Sequence, residues 1–317
     1  MSRKVDVEST VRAAREGSVR AVARLLTSVE NHSEQLPDIM AAVAAAHQAA
    51  GGRAAEVVGI TGSPGVGKST TTNALVQAWR KEGKRVAVLA VDPSSPFSGG
   101  AILGDRVRMQ DHALDEGVYI RSMSSRGHLG GLTATTPQAV RLLEGMDFDV
   151  IVVETVGVGQ AEVEIADLAD TTLVLLAPGM GDGIQAVKAG ILEIADLFVV
   201  NKSDRDGAAA TVRDLRAMMA LVRREPGQWR QPIVQTVAHE GTGIDEVIAE
   251  AAKHHQWLAQ EDKLRVRRRE RARSEITALV GAQLRRRYTV DDATAEAVAQ
   301  GELDPYAAAE AILGRQY

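Results

Sequence analysis

The chain of 317 residues contains no cysteine. That excludes disulfides, thiolate metal sites and a thiol nucleophile together. Aromatic residues are scarce at 3%, so a core has to be assembled from Val, Leu, Ile and Ala. An excess of positive charge is missing too. Lys and Arg number 37 against 42 Asp and Glu, a formal charge of −5, which leaves no overall electrostatic footprint for nucleic acid. No apolar run approaches the roughly 18 residues of a membrane-spanning helix. The opening stretch MSRKVDVESTVRAAREG is charged throughout and lacks the apolar segment of a secretory signal. These absences lead to the expectation of a soluble, cytoplasmic protein with neither nucleic acid nor membrane as partner.

What is present is a change of rhythm near residue 56. Before it, Val11, Val19, Val22, Leu25 and Leu26 recur at helical spacing, and LPDIMAAVAAAHQAA runs from Pro37 to the Gly51-Gly52 pair. After it come short apolar runs bounded by turn residues: EVVGIT, KRVAVLAVD, VYIRSM, FDVIVVET, TTLVLLAP, LFVVNKSD and PIVQTVA. Several are almost continuous Val/Leu/Ile, the mark of strands buried on both faces. Helical segments at 68–82, 136–145, 184–195 and 207–224 separate most of them. This alternation predicts an α/β fold with a mainly parallel sheet flanked by helices. Past residue 250 the strands cease. KLRVRRRERARSEITALVGAQLRRRY reads as one long helix with a narrow stripe of Ile276, Leu279, Val280 and Leu284. Two short helices follow, divided at Asp304-Pro305. The expected organisation is a helical extension at 1–52, a nucleotide-binding domain at 53–250 and a helical arm at 251–317 that packs on a second subunit.

The stretch GSPGVGKST fits the G-x-x-x-x-G-K-[ST] phosphate loop and lies between a predicted strand and a predicted helix. Gly62, Ser63, Pro64, Gly65, Val66 and Gly67 would wrap backbone N–H groups around phosphate oxygens, with the helix N-terminus adding positive potential. Lys68 would reach the β- and γ-phosphates, Ser69 would ligate Mg²⁺, and Thr70 completes the motif. About 130 residues on, NKSD ends a strand. Asp204 there can accept from guanine N1–H and the 2-amino group, whereas adenine would leave a buried carboxylate unpaired. Asn201 would hold the other edge of the base and the stem of Lys202 would cover its face. In TVAHEG, Ala238, flanked by Val237 and His239, is the candidate for a backbone N–H on guanine O6. Together these make GTP the expected nucleotide.

The segment VVETVGVGQ departs from the usual Asp-x-x-Gly of GTPases. Glu154 and Gly157 occupy the places of the Mg²⁺-linked acid and the γ-phosphate glycine, so the metal must sit differently or be reached through water. Gln160 is displaced from the place of a water-positioning glutamine. In VDPSSPFSGGAILGDRVRM, Asp92 falls at a strand's C-terminal end and Asp105 in a Gly/Ser/Pro-rich segment. Both could ligate Mg²⁺ or position the attacking water, and Asp105 could equally cap a helix. APGMGDGIQAVKAG is expected to emerge at the nucleotide edge of the sheet as a remodelling loop, with Lys188 relaying the nucleotide state. Lys68, Asp92, Asp105 and Lys188 form the candidate catalytic set, and Ser69, Asp92, Asp105 and Glu154 the candidate metal set.

Taken together, GSPGVGKST, VDPSSPFSGGAILGDRVRM, RGHLGG, VETVGVGQ, LAPGMGDGIQAVKAGI and NKSD resemble the MeaB/ArgK family of methylmalonyl-CoA-mutase-associated GTPases, over roughly residues 55–245. The resemblance implies a homodimeric GTPase that uses Mg²⁺ and converts GTP to GDP. It also implies a chaperone role toward an adenosylcobalamin-dependent methylmalonyl-CoA mutase: gating cofactor loading, and protecting or reactivating the mutase. No Asp-x-His-x-x-Gly motif is present, so cobalamin would belong to the partner. The competing reading is a kinase of a transport-system binding protein, the role attached to the ArgK name. The guanine-reading NKSD speaks against it.

Overall fold

The computed structural model describes residues 6–92, 112, 114–124, 135–155, 161–179, 191–221, 225 and 227–314. Among the residues expected to carry chemistry, Asp105, Gly157, Gln160 and Lys188 lie outside these, and so does the side chain of Asp92. The chain forms two compact units, Met1–Arg268 and Arg269–Tyr317.

Three helices open the first unit: α1 (Val7–Arg15), α2 (Val19–Glu30) and α3 (Leu36–Ala49). The Asp6 carboxylate caps α1 by accepting from the Ser9 N–H, and the Ser18 hydroxyl caps α2 at Ala21. Gly17, at φ +98°, breaks what the spacing alone would run together. Val19, expected on the buried stripe, consequently faces solvent, while Val22, Leu25, Leu26 and Val29 are buried. The complete burial of Leu25, Leu26, Val29 and Ile39 contributes about 6–12 kcal/mol at ~1.5–3 kcal/mol per side chain. The N-terminal helices are thus part of the core.

Seven strands form one sheet: β1 (Glu56–Thr61), β2 (Val86–Asp92), β3 (Val118–Ser124), β4 (Val150–Thr155), β5 (Thr171–Leu176), β6 (Leu197–Asn201) and β7 (Ile233–Thr236). Their order is β3-β2-β4-β1-β5-β6-β7, and every pairing is parallel. Helix α4 (Lys68–Lys81) joins β1 to β2, so β2 runs parallel to β1 with β4 hydrogen-bonded between them. Successive side chains point to opposite faces, so Val57, Ile151 and Val153 join α1–α3 and α5 (Thr136–Glu144) in one core, while Val58, Val150 and Val152 meet α4 in another. Burial on both faces is why these strands read as unbroken apolar runs.

Further helices among the described residues of this unit include α6 (Ala161–Leu168), the single turn α7 (Ile191–Ile194), α8 (Ala208–Leu221) and α9 (Ile244–Ala259). Helix α10 (Lys263–Arg287) starts here, and α11 (Asp292–Ala299) and α12 (Pro305–Leu313) lie in the second unit. At the edge where strands begin, Arg268 of α10 donates to both Asp170 oxygens and to the Ala55 carbonyl, and Arg267 reaches Asp196. Asp170 also accepts from the Val57 N–H at 3.1 Å. Beside it His254 is fully buried, with Nδ1 2.9 Å from the Thr171 hydroxyl and the ring clustered with those of Trp229 and Trp257. Burial pushes this imidazole down to about 4, against the opposing pull of Asp196. In α10 itself no residue is buried, and Ile276, Leu279, Val280 and Leu284 are exposed. Among the described residues no helix is long and apolar enough to cross a membrane.

Candidate functional site

The carboxyl ends of β1, β4 and β6 and the loop after β7 converge on the turn at residues 62–67. Two of its glycines are sterically required. Gly62, at φ +138°, lies so close to the Leu175 carbonyl of β5 that a Cβ would overlap it. Gly67, at φ +97°, is the N-cap of α4, and a Cβ there would run into the Asn201 amide. The loop therefore closes because glycine permits a left-handed backbone and close approach at these two positions. Lys68 curls back over the loop, and its ammonium donates to the carbonyls of Gly62 (2.6 Å) and Ser63 (3.1 Å). Val66 is buried, whereas Pro64, Gly65 and Thr70 face solvent.

Glu154 joins the loop to β4. It sits in register with Ile60 of β1 and Ala90 of β2 and is buried to 2% exposure. Its Oε1 accepts from the Ser69 hydroxyl at 2.7 Å and its Oε2 from the Thr72 hydroxyl at 2.9 Å. A hydroxyl whose proton goes to a carboxylate presents its oxygen as the electron-pair donor, which suits a hard cation. Asp92, two residues along β2 from Ala90, ends that strand on the same edge. Among the described residues no group of three or more His, Cys, Asp or Glu could hold a metal ion by itself.

Asn201, expected to hold the base, is tied into the protein by its side chain. Its Nδ2 donates to the Val66 carbonyl at 2.9 Å, and its Oδ1 accepts from the Thr236 hydroxyl and the Ala238 N–H, both at 3.1 Å. The amide is buried among three loops and ties them together. The Ala238 N–H, expected on guanine O6, points to this amide oxygen. Lys202, at φ +57°, sends its ammonium to the Gly65 carbonyl at 2.6 Å.

These straps enclose a pocket of about 200 Å³ lined by Gly67, Thr70, Asn201, Lys202, Asp204, Arg205 and His239. Asp204 is exposed at its rim, and His239 is 3.6 Å from Glu240 with most of its ring in solvent. Val237 is buried behind Ala238 and pairs with Thr242. The structure thus brings phosphate loop, Glu154, NKSD and TVAHEG to one edge of the sheet. Sequence reading passes over Thr72 and Thr236, because a threonine inside a helix or strand carries no signal of its own. The only hint is the i, i+3 spacing of Ser69 and Thr72, which places both on one helical face.

The family model described as methylmalonyl Co-A mutase-associated GTPase MeaB matches residues 22–293. A protein of Pyrococcus abyssi is 43% identical over 316 residues, covering 97% of this chain and 96% of that one. The mouse methylmalonic aciduria type A homolog, mitochondrial, is 43% identical over 206 residues, 64% of this chain and 50% of that one. Among solved structures, a LAO/AO transport system kinase superposes with a TM-score of 0.73 at 25% identity over 98% of both chains.

Proposed function

The chain is a GTP-hydrolysing P-loop enzyme of the MeaB family, and from that premise we propose that it serves as a chaperone for an adenosylcobalamin-dependent methylmalonyl-CoA mutase. In this reading it gates loading of the mutase's cofactor and protects or reactivates that enzyme. Cobalamin belongs to the mutase, and this chain works in the cytoplasm.

The observation that carries the nucleotide half of the reading is the Asn201 amide, which joins the phosphate loop to both base-side segments. Asp204 at the pocket rim accepts from guanine N1–H and the 2-amino group, and Lys202 covers the base. Lys68 exchanges the Gly62 and Ser63 carbonyls for β- and γ-phosphate oxygens. Ser69 and Glu154 would hold Mg²⁺, which when bound would supply neutralisation of phosphate charge. Asp92 and Asp105 would complete the metal shell or position the attacking water, Gly157 would serve the γ-phosphate, and Lys188 would relay the nucleotide state to the partner. The arm at 251–317 supplies a homodimer contact, supported by the exposed Ile276, Leu279, Val280 and Leu284.

The test is GTP turnover with and without an adenosylcobalamin-dependent methylmalonyl-CoA mutase, beside co-purification of the two proteins. Turnover that rises with the mutase and a stable complex are expected; neither appearing removes the chaperone reading. A kinase acting on a transport protein is the second reading, favoured by the structural likeness to such a kinase. Transfer of label from γ-labelled GTP to a protein, rather than to free phosphate, would establish it instead.

A further inference from the structure

We infer that Thr72 is a positioning residue for the Mg²⁺ site, acting through Glu154; the inference rests on the metal reading above. The acid at the end of β4 is a glutamate where the usual GTPase pattern has aspartate. A glutamate has one more rotatable bond, and an untethered one loses side-chain entropy when it is held in one pose. Here the pose is held from both sides. Ser69 and Thr72 stand three residues apart on α4, on the face turned to β4, and each donates to a different oxygen of the carboxylate, at 2.7 and 2.9 Å. Thr72 is fully buried, and Ser69 and Glu154 nearly so. The Thr72 hydroxyl therefore fixes the rotation of the carboxyl group and commits Oε1 to the side of Ser69, where the cation belongs. Thr72 touches neither nucleotide nor metal in this scheme. Its effect reaches the cation only through the direction in which Glu154 points, as with other outer-shell partners of metal sites.

Thr72→Val keeps the β-branched shape and removes only the donor. The measurement is the Mg²⁺ concentration at which retention of fluorescent GDP is half-maximal, set beside GDP affinity in EDTA. In T72V the half-saturating Mg²⁺ should rise about tenfold, the lower end of outer-shell effects, with metal-free GDP affinity unchanged. T72S restores the donor and should return the wild-type value. The effect should also vanish in a Glu154→Gln background, because two residues acting through one group are not additive. Should T72V yield no soluble protein, T72C, close in volume with a weak donor, carries the same measurement. A T72V protein with wild-type Mg²⁺ dependence, or a shift of equal size in the Glu154→Gln background, overturns the inference and leaves the metal reading standing. A wild-type protein whose GDP retention ignores Mg²⁺ overturns both.

Discussion

Replacing Asn201 by alanine separates two ways in which this asparagine could serve GTP. The side chain makes three hydrogen bonds, to the Val66 carbonyl, the Thr236 hydroxyl and the Ala238 N–H. Val66, Thr236 and Ala238 are all buried at 4% exposure or less, so the truncated site leaves three polar groups without their partner. At about 1 kcal/mol for each bond the loss is about 3 kcal/mol. The loops must be reordered at that cost when nucleotide binds, which corresponds to a weakening of up to ~150-fold. Equilibrium titration with fluorescent GTP measures it, and urea unfolding of the free protein should show a loss of the same order. Comparison with 7-deaza-GTP, which lacks the ring nitrogen on the base's outer edge, decides the cause. A strap weakens both nucleotides by the same factor, whereas a residue reading that edge weakens GTP alone. N201A with GTP affinity within twofold of wild type and unaltered unfolding would refute the strap.

Three further outcomes follow from the same geometry. Asp204→Asn should weaken GTP and favour xanthosine triphosphate, whose C2 oxygen accepts from the new amide; unchanged GTP affinity in direct titration would remove Asp204 from the base site. Arg268→Met leaves the 1%-exposed Asp170 carboxylate without its guanidinium and should cost about 3–5 kcal/mol in urea unfolding, and a loss below about 1 kcal/mol would show that the carboxylate does not depend on this guanidinium. His254 supplies the pH dependence. Its folded pKa of about 4 lies below the unfolded 6.5, so between these values the unfolded chain binds the extra proton. This group's share of stability is therefore intact above pH 6.5, falls as pH drops, and has lost about 3 kcal/mol near pH 4. His254→Gln should flatten that part of the profile in unfolding titrations at pH 5 and 7, and an unchanged slope would assign the acid sensitivity to other groups.

Much of the architecture was legible in the residues. Continuous apolar runs announced strands buried on both faces, and each of the seven runs contains a strand of the parallel sheet. The phosphate loop and NKSD were legible because their spacing is tied to one geometry. The bracing by Asn201 was not, since nothing in the sequence places the Val66 carbonyl, the Thr236 hydroxyl and the Ala238 N–H around its amide. Thr72 and Thr236 were invisible for a related reason: their partners lie 82 and 35 residues away, across elements that only folding brings together. The Arg268–Asp170 pair, 98 residues apart, was hidden inside the basic stretch KLRVRRRERAR, where nothing marks one arginine from its neighbours.

The strand order also governs when this protein can begin to fold during synthesis. The first strand of the chain is hydrogen-bonded to residues 150–154 on one side and 171–174 on the other. A nascent chain that has emerged only through its phosphate-loop helix holds an apolar strand with neither neighbour yet made. Residues 86–92 can pair earlier with 118–124, but that two-stranded ribbon lacks its link to the centre until 150–155 arrives. Such long-range parallel pairing is slow and leaves unpaired edges open to aggregation. Slowed translation before about residue 175, or a truncation there, should therefore yield insoluble chain, whereas release after the last strand allows the sheet to close.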